Sequence, residues 1–377
     1  MINKTNNLIN LLNYSNCMPA LIGGFGKKSL SLYNKLSFWV STHLNIFSIL
    51  FKNSIRTMST LPLKVGLTNH ISNTNPQFGP YLAGLIEGDG SIAVHDISSK
   101  GKKFSPKILV VFHNSDLPLA EHLQKITECG KVYHKKDAGY IIWHIQDLQG
   151  VFKIINIING YMRTPKIEAL HRAINWFNEY IQTPNNKLLA NNITSGLNCN
   201  INLLPLDESP IDSNSWLAGF SDADSNFNLT ITTRKKNNKL TGNRVQTFFR
   251  IELRQSYHRN VDKNLGGQSY FSILTKISAY FGVNLLSRTR YIKDKVYYSF
   301  IVISHSNSSH EQVRNYFNKF PLYSSKYLAY KDWCKVQDLQ LEKKFVVDYI
   351  DECKEIKSRF NNNRKIFNWD HLENLTL

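Results

Sequence analysis

Tyr81–Ile92 reads YLAGLIEGDGSI, and Trp216–Phe227 reads WLAGFSDADSNF. Each stretch opens on an aromatic residue, runs through Leu-Ala-Gly and closes on two acids one residue apart: Glu87 and Asp89 in the first, Asp222 and Asp224 in the second. A single acid pair near glycine would read as a solvated turn. Two copies with the same spacing indicate two similar units in one chain. Within each copy the apolar residues recur at helical spacing: Leu82, Leu85 and Ile86, then Leu217 and Phe220. Small residues stand four apart and share a face, Gly84 with Gly88 and Gly219 with Ala223. Such a face admits a second backbone at close range, and the other copy is the obvious partner.

Two helices pressed together in this way would set Asp89 and Asp224 side by side at their C-terminal ends. The helix dipole disfavours a carboxylate there, and the two acids repel each other. A hard divalent cation on oxygen ligands removes both penalties and suits phosphodiester hydrolysis.

The doubled stretch resembles the LAGLIDADG signature of homing endonucleases in its single-chain, two-motif form. The resemblance covers the chain from about Gly79 to Leu339. It implies an α+β fold: two pseudo-twofold-related αββαββα units, a saddle-shaped antiparallel sheet, and the motif helices packed at the centre. It also implies a monomer that cuts both strands of double-stranded DNA at a long asymmetric target, with Mg²⁺ or Mn²⁺ as cofactor. The metal ligands carried over are Asp89 and Asp224. Lys166 and Lys326 match the family's basic residue near the scissile phosphate, where a lysine would stabilise developing charge or polarise water. Asn114 and Gln255, each at the end of a second strand and each followed by Ser, resemble the family's water-positioning residue. The second copy departs from the pattern at Ser225 and Asn226, where Gly and Ser usually follow.

Composition agrees. The 377 residues carry 46 Lys and Arg against 28 Asp and Glu, a net charge of +18, which implies a polyanionic partner. The five cysteines form no Cys-x-x-Cys pair, so neither a zinc module nor a disulfide framework is indicated. Richness in Asn, Ile, Lys, Tyr and Phe, all with A/T-rich codons, hints at an organellar gene, hence a mitochondrial location. Residues 1–75 contain no acid and read as a transit-like or exon-derived extension. Their most apolar run, Leu36–Phe51, is broken by polar residues and short for a membrane span.

The chain divides into this extension (1–75), a first unit (76–181), a Pro- and Asn-rich connector (182–212), a second unit (213–340) and a helical tail (341–377). In the first unit, strands are predicted at Ser91–His95, Lys107–His113, Lys131–Lys135 and Tyr140–Ile145. Its helices are predicted at Leu117–Glu128, Leu148–Ile158 and Pro165–Tyr180. In the second, strands are expected at Asn226–Thr232, Phe249–Gln255, Leu285–Ile292 and Val296–Ile303. Its helices are expected at Tyr270–Phe281, Glu311–Phe320 and Ser325–Leu339, with a tail helix at Phe345–Phe360. The solvent faces of the second unit's strands offer a basic set for DNA: Arg234, Lys235, Lys236, Arg250, Arg254, Arg288 and Arg290. A maturase that assists splicing of its host intron RNA, and a non-cutting DNA binder, are the alternatives the same residues allow.

Overall fold

The two repeated stretches form two helices, α1 (Phe78–Asp89) and α5 (Trp216–Asp224), that lie against each other. A Cβ added at Gly84 would stand 2.7 Å from the Phe220 nitrogen and closer still to the Trp216 carbonyl oxygen. One added at Gly219 would stand 2.9 Å from the Leu85 nitrogen and closer still to the Tyr81 carbonyl oxygen. Equivalent positions therefore meet equivalent positions, and the helices run in parallel with their acidic ends together. Nothing larger than glycine fits at either crossing.

The computed structural model describes residues 75–94, 105–135, 138–183, 186, 200–237, 239–257, 268–342 and 348–377. The N-terminal extension up to residue 74 and connector residues 187–199 lie outside the described residues. Residues 73–377 form one compact unit.

From the tip of each motif helix the chain turns directly into a strand. The first sheet has the order β1-β2-β4-β3, from β1 (Gly90–Ala93), β2 (Lys107–His113), β3 (Lys131–His134) and β4 (Tyr140–Ile145). The second repeats it as β5-β6-β8-β7, from β5 (Ser225–Lys236), β6 (Lys239–Arg254), β7 (Leu285–Ile292) and β8 (Lys295–Ser304). Every pairing is antiparallel. Between and after the strands come α2 (Leu117–Thr127), α3 (Leu148–Ile158), α4 (Ile167–Gln182), α6 (Phe271–Tyr280), α7 (Asn307–Lys319) and α8 (Lys326–Glu342). The architecture is α+β, with the αββαββα order twice and pseudo-twofold symmetry about the motif helices.

Strand alternation buries one face of each sheet under the helices. Ile108, Val110, Phe112, Ile141, Trp143 and Ile145 do so in the first sheet; Phe227, Phe249, Ile251 and Val302 do so in the second. The opposite face mixes apolar and polar residues in the first sheet and carries a cluster of arginines in the second.

Several boundaries differ from the sequence expectation. β5 and β6 extend to 12 and 16 residues, because the polar run Thr233–Asn243 continues the ladder without apolar alternation to mark it. Helix α4 begins at Ile167, with Lys166 as N-cap and Pro165 in the turn before it. Helix α7 begins at Asn307, four residues early, behind a capping box of Ser306 and Ser309. The tail helix is α9 (Tyr349–Ser358). It buries Cys353 and Ile356, and the residues after it bury Phe360, Leu372 and Leu375. The tail then reaches the first unit, where His122 Nε2 lies 2.6 Å from the Leu375 carbonyl oxygen. Packing across both units is thus its structural contribution.

Candidate active site

The two acids of each motif have opposite surroundings. Glu87 and Asp222 are buried and saturated with donors. Glu87 accepts from the Arg163 amide (3.0 Å), the Thr164 amide and hydroxyl (both 2.6 Å) and Trp216 Nε1 (2.5 Å). Asp222 accepts from the Tyr323 amide (2.8 Å), the Ser324 hydroxyl (2.5 Å) and the Tyr81 hydroxyl (2.8 Å). Each therefore ties its own helix to the loop before the last helix of its unit. Each also accepts from the aromatic that opens the other motif, so the leading Tyr and Trp form reciprocal braces across the interface. Burial is the main cause raising both pKa values, Asp222 to about 6, and the donors oppose it.

Asp89 and Asp224 accept no hydrogen bond from any described residue, although both are largely desolvated. Burial first, then the charge of Asp224, pushes Asp89 up to about 6, while Lys326 and Lys166 pull it down. Burial also raises Asp224, against Lys326, Lys166 and Arg254. The Asp224 carboxylate stands 3.2 Å from where a Cβ on Gly88 would be, so the tips of the two helices are in contact. Two desolvated, mutually repelling, donor-free carboxylates are what a hard cation relieves. Among the described residues no group of three or more His, Cys, Asp or Glu side chains could hold a metal. The donor set nevertheless fits Mg²⁺ chemistry, in which one or two carboxylates are completed by water and substrate phosphates.

The lysines lie behind the acids. Lys166 Nζ donates to the carbonyls of Ile86 (3.0 Å), Gly88 (3.2 Å) and Gly90 (2.8 Å), which uses all three of its protons. Lys326 Nζ donates to the equivalent carbonyls of Ser221 (3.1 Å) and Ala223 (2.6 Å), which leaves one. Each ammonium caps the negative end of the motif helix that carries the acid. Burial lowers both ammonium pKa values, and the surrounding carboxylates oppose that.

The departure at Ser225 is accommodated. Gly90 (φ −91°, ψ 164°) and Ser225 (φ −106°, ψ 167°) leave their helices in the same extended conformation, open to any residue. A Cβ on Gly90 would crowd the Ile86 carbonyl at 2.6 Å, whereas the Ser225 hydroxyl bonds the equivalent Ser221 carbonyl at 2.7 Å.

Asn114 and Gln255 occupy equivalent positions just beyond β2 and β6. Their amides bond Gly139 O (3.3 Å) and Tyr298 O (3.1 Å), and their side chains are bonded to no described residue. Arg254, one residue earlier, acts electrostatically on Asp224 and Lys166, so it belongs near the acids rather than at the edge of the sheet. Arg250, Arg288 and Arg290 gather on Glu252, with Arg288 at 3.7 Å. Arg234 and Lys235 are exposed near the end of β5; Lys236 closes that strand.

Asp116 was not anticipated. It sits before α2 without capping it, and instead accepts from the Ser325 amide of the other unit at 2.6 Å, where it adds negative charge near Asp89. The position equivalent to Ser325 is Pro165, which has no N–H to satisfy, and the position equivalent to Asp116 is Tyr257. The one legible signal was the proline present in a single copy.

A family model described as LAGLIDADG endonuclease matches residues 82–177 and 217–337, each match beginning at the Leu of a Leu-Ala-Gly. The chain belongs to the LAGLIDADG endonuclease family. It is 38% identical over 377 residues to the intron-encoded DNA endonuclease aI3 of Saccharomyces cerevisiae, covering 96% of this chain and 82% of that protein. It is 31% identical over 293 residues to the uncharacterized cox1 intron-2 37.2 kDa protein of Schizosaccharomyces pombe, covering 77% of this chain and 75% of that one.

Among solved structures, the fold is similar to the LAGLIDADG homing endonuclease I-GzeII in complex with its DNA target. The TM-score is 0.52 at 19% identity, over 78% of this chain and 100% of that one. I-SmaMI, bound to uncleaved DNA in the presence of calcium ions, matches with a TM-score of 0.51 at 18% identity, over 74% of this chain and 98% of that one. No helix among the described residues is long and apolar enough to cross a membrane.

Proposed function

We propose that the protein is a site-specific DNA endonuclease that hydrolyses both strands of a long target with Mg²⁺, as the product of a mitochondrial intron, and acts as a monomer. The observation that carries this reading is the pair Asp89 and Asp224: carboxylates with no donor among the described residues, on the touching ends of two parallel helices. Asp89 and Asp224 would hold the ions between them, with the phosphate backbone completing the ligand set. The chemistry supplied by a divalent cation held there would be activation of water and neutralisation of charge on the scissile phosphate. Lys166 and Lys326 would hold the helix ends that carry the acids, and Lys326, with two bonds to described residues, would offer its third N–H to a phosphate oxygen or a water. Asn114, Gln255 and Arg254 are the polar groups available to orient the attacking water and the backbone. Arg234, Lys235, Lys236, Arg250, Arg288 and Arg290 supply phosphate and base contacts along the second sheet. The named activity of the yeast relative and the DNA-bound neighbours support the substrate class.

The test is cleavage of duplex DNA spanning the intronless insertion site, with the purified full chain. Mg²⁺ should support cutting, and Ca²⁺ should leave the DNA bound and whole. Asp89→Asn should abolish cleavage with binding retained. Cutting that survives both Asp89→Asn and Asp224→Asn defeats the reading.

A further inference from the structure

The solvent faces of the two sheets differ in chemistry along their second strands, β2 and β6. Counting back from Asn114 and Gln255, Val111 corresponds to Glu252 and Leu109 to Arg250. In the first sheet Val111 pairs with Ile142, and Ile142 with Tyr133. Val111 and Tyr133 are each 41% exposed, and their strand neighbours Val110 and Val132 point to the helix side. The Val111 row holds no charged side chain; Leu109 and Tyr140 extend the face, with His144 and then Lys131 beside Leu109.

In the second sheet the corresponding row is Glu252, Ile301 and Leu286. Glu252, its side chain only 12% exposed, is ion-paired with Arg250, Arg288 and Arg290, and accepts from the Ser299 hydroxyl at 2.8 Å. Three guanidinium groups on one carboxylate leave a net charge of +2. They also leave N–H groups directed by a partner that is itself fixed. The pseudo-twofold axis runs along the parallel motif helices, so both faces lie at the same end of the molecule, on either side of Asp89 and Asp224.

Resting on the reading of this protein as a site-specific DNA endonuclease, we infer that the two halves of its target differ in base chemistry in register with these faces. The half under the first sheet presents thymine methyl groups to Leu109, Val111, Tyr133 and Ile142. The half under the second presents guanine O6 and N7 to the arginines that Glu252 arranges.

In the major groove thymine alone offers a methyl group, and guanine offers two adjacent acceptors that match a guanidinium. Aliphatic side chains against a guanine or cytosine edge would leave its polar groups dry and unpaired. A bare arginine cluster would favour any phosphate. Glu252 counters this by restraining the guanidinium planes, and its own acceptors are already occupied, so it does not compete for cytosine N4.

The experiment begins with the full chain, in Ca²⁺, selecting bound duplexes from a randomised library. In the selected duplex, thymines are then replaced by uracil, which removes only the methyl, one half-site at a time. Guanines are separately replaced by 7-deazaguanine, which removes only N7. Uracil in one half should weaken binding by roughly ten-fold and in the other by little, and 7-deazaguanine should show the reverse. Val111→Ala should shrink the uracil effect without changing the 7-deazaguanine effect. Glu252→Gln should do the converse, with overall affinity for unrelated DNA equal or higher.

Equal responses of both halves to both replacements, or a uracil effect that Val111→Ala leaves intact, would overturn the inference while leaving the endonuclease reading standing. Recovery of no specific duplex would overturn both.

Discussion

The first and second units share a fold and differ in how each is completed. Their motif helices, strand orders and lysine caps occupy equivalent positions. The second unit's strands run further, with 8 and 10 residues in β7 and β8 against 4 and 6 in β3 and β4. Lys166 spends three protons on its helix and Lys326 spends two. Ser325 needs an acceptor from the other unit, and Pro165 needs none. Where two copies agree, the position serves the joint between them; where they diverge, each half is free to serve its own stretch of substrate.

The agreement is most sharply broken at the helix crossing. Gly84→Val should cost more than about 4 kcal/mol, or abolish folding, because the new side chain meets backbone rather than a movable group. Gly88→Ala meets the Ala223 methyl most closely and the Asp224 carboxylate less so, at 3.2 Å, so Gly88→Ala with Ala223→Gly should recover most of the lost thermal stability. A double variant no better than Gly88→Ala alone would mean that the helices do not touch there.

The braces come next. Tyr81→Phe and Trp216→Phe should each destabilise by about 2 kcal/mol in denaturant unfolding, since each removes a donor from a buried carboxylate. Equal losses would support the reciprocity, and a neutral result for either would break it.

A smaller effect separates the cross-unit cap. Asp116→Ala should cost about 1 kcal/mol by leaving the Ser325 amide unpaired. In a Ser325→Pro background, which makes the second copy like the first, the same substitution should cost less.

The smallest is a pH effect. Asp89 has a pKa raised to about 6 in the metal-free protein, so its protonated form is favoured on folding. That contribution is complete below the unfolded carboxylate pKa and is lost as pH rises through about 6. A divalent ion offsets the loss, so its addition should raise Tm more at about pH 7.5 than at about pH 5.5.

Much of this fold was legible because burial leaves a periodic trace. Tyr140–Ile145 and Leu148–Ile158 were bounded to the residue by that trace, and Leu285–Ile292, which buries no residue, by the Lys293-Asp294 turn after it. The long β5–β6 hairpin was cut short because Thr233–Asn243 offers Leu240 as its single apolar residue, so no alternation marks the strands that the ladder hydrogen bonds extend. The start of α7 was missed because its capping box uses Ser309 where the usual signature has Glu or Gln.

In the site, Asp89 and Asp224 stood out through repetition. The lysines stood out too, but as groups facing phosphate. That Lys166 gives every proton to backbone depends on its depth under the helix end, which spacing does not encode. The braces from Tyr81 and Trp216 were hidden for the same reason: both aromatics fit a core position, and only the partner's depth shows that the hydroxyl and the indole N–H matter.

The central claim is that Asp89 and Asp224 hold divalent ions jointly. Mn²⁺ binding to the protein–DNA complex, followed by electron paramagnetic resonance, tests it most directly. Tight binding in the unaltered protein, lost or strongly weakened in Asp89→Asn and in Asp224→Asn alike, is the predicted result. Unchanged Mn²⁺ binding in the double variant would contradict it.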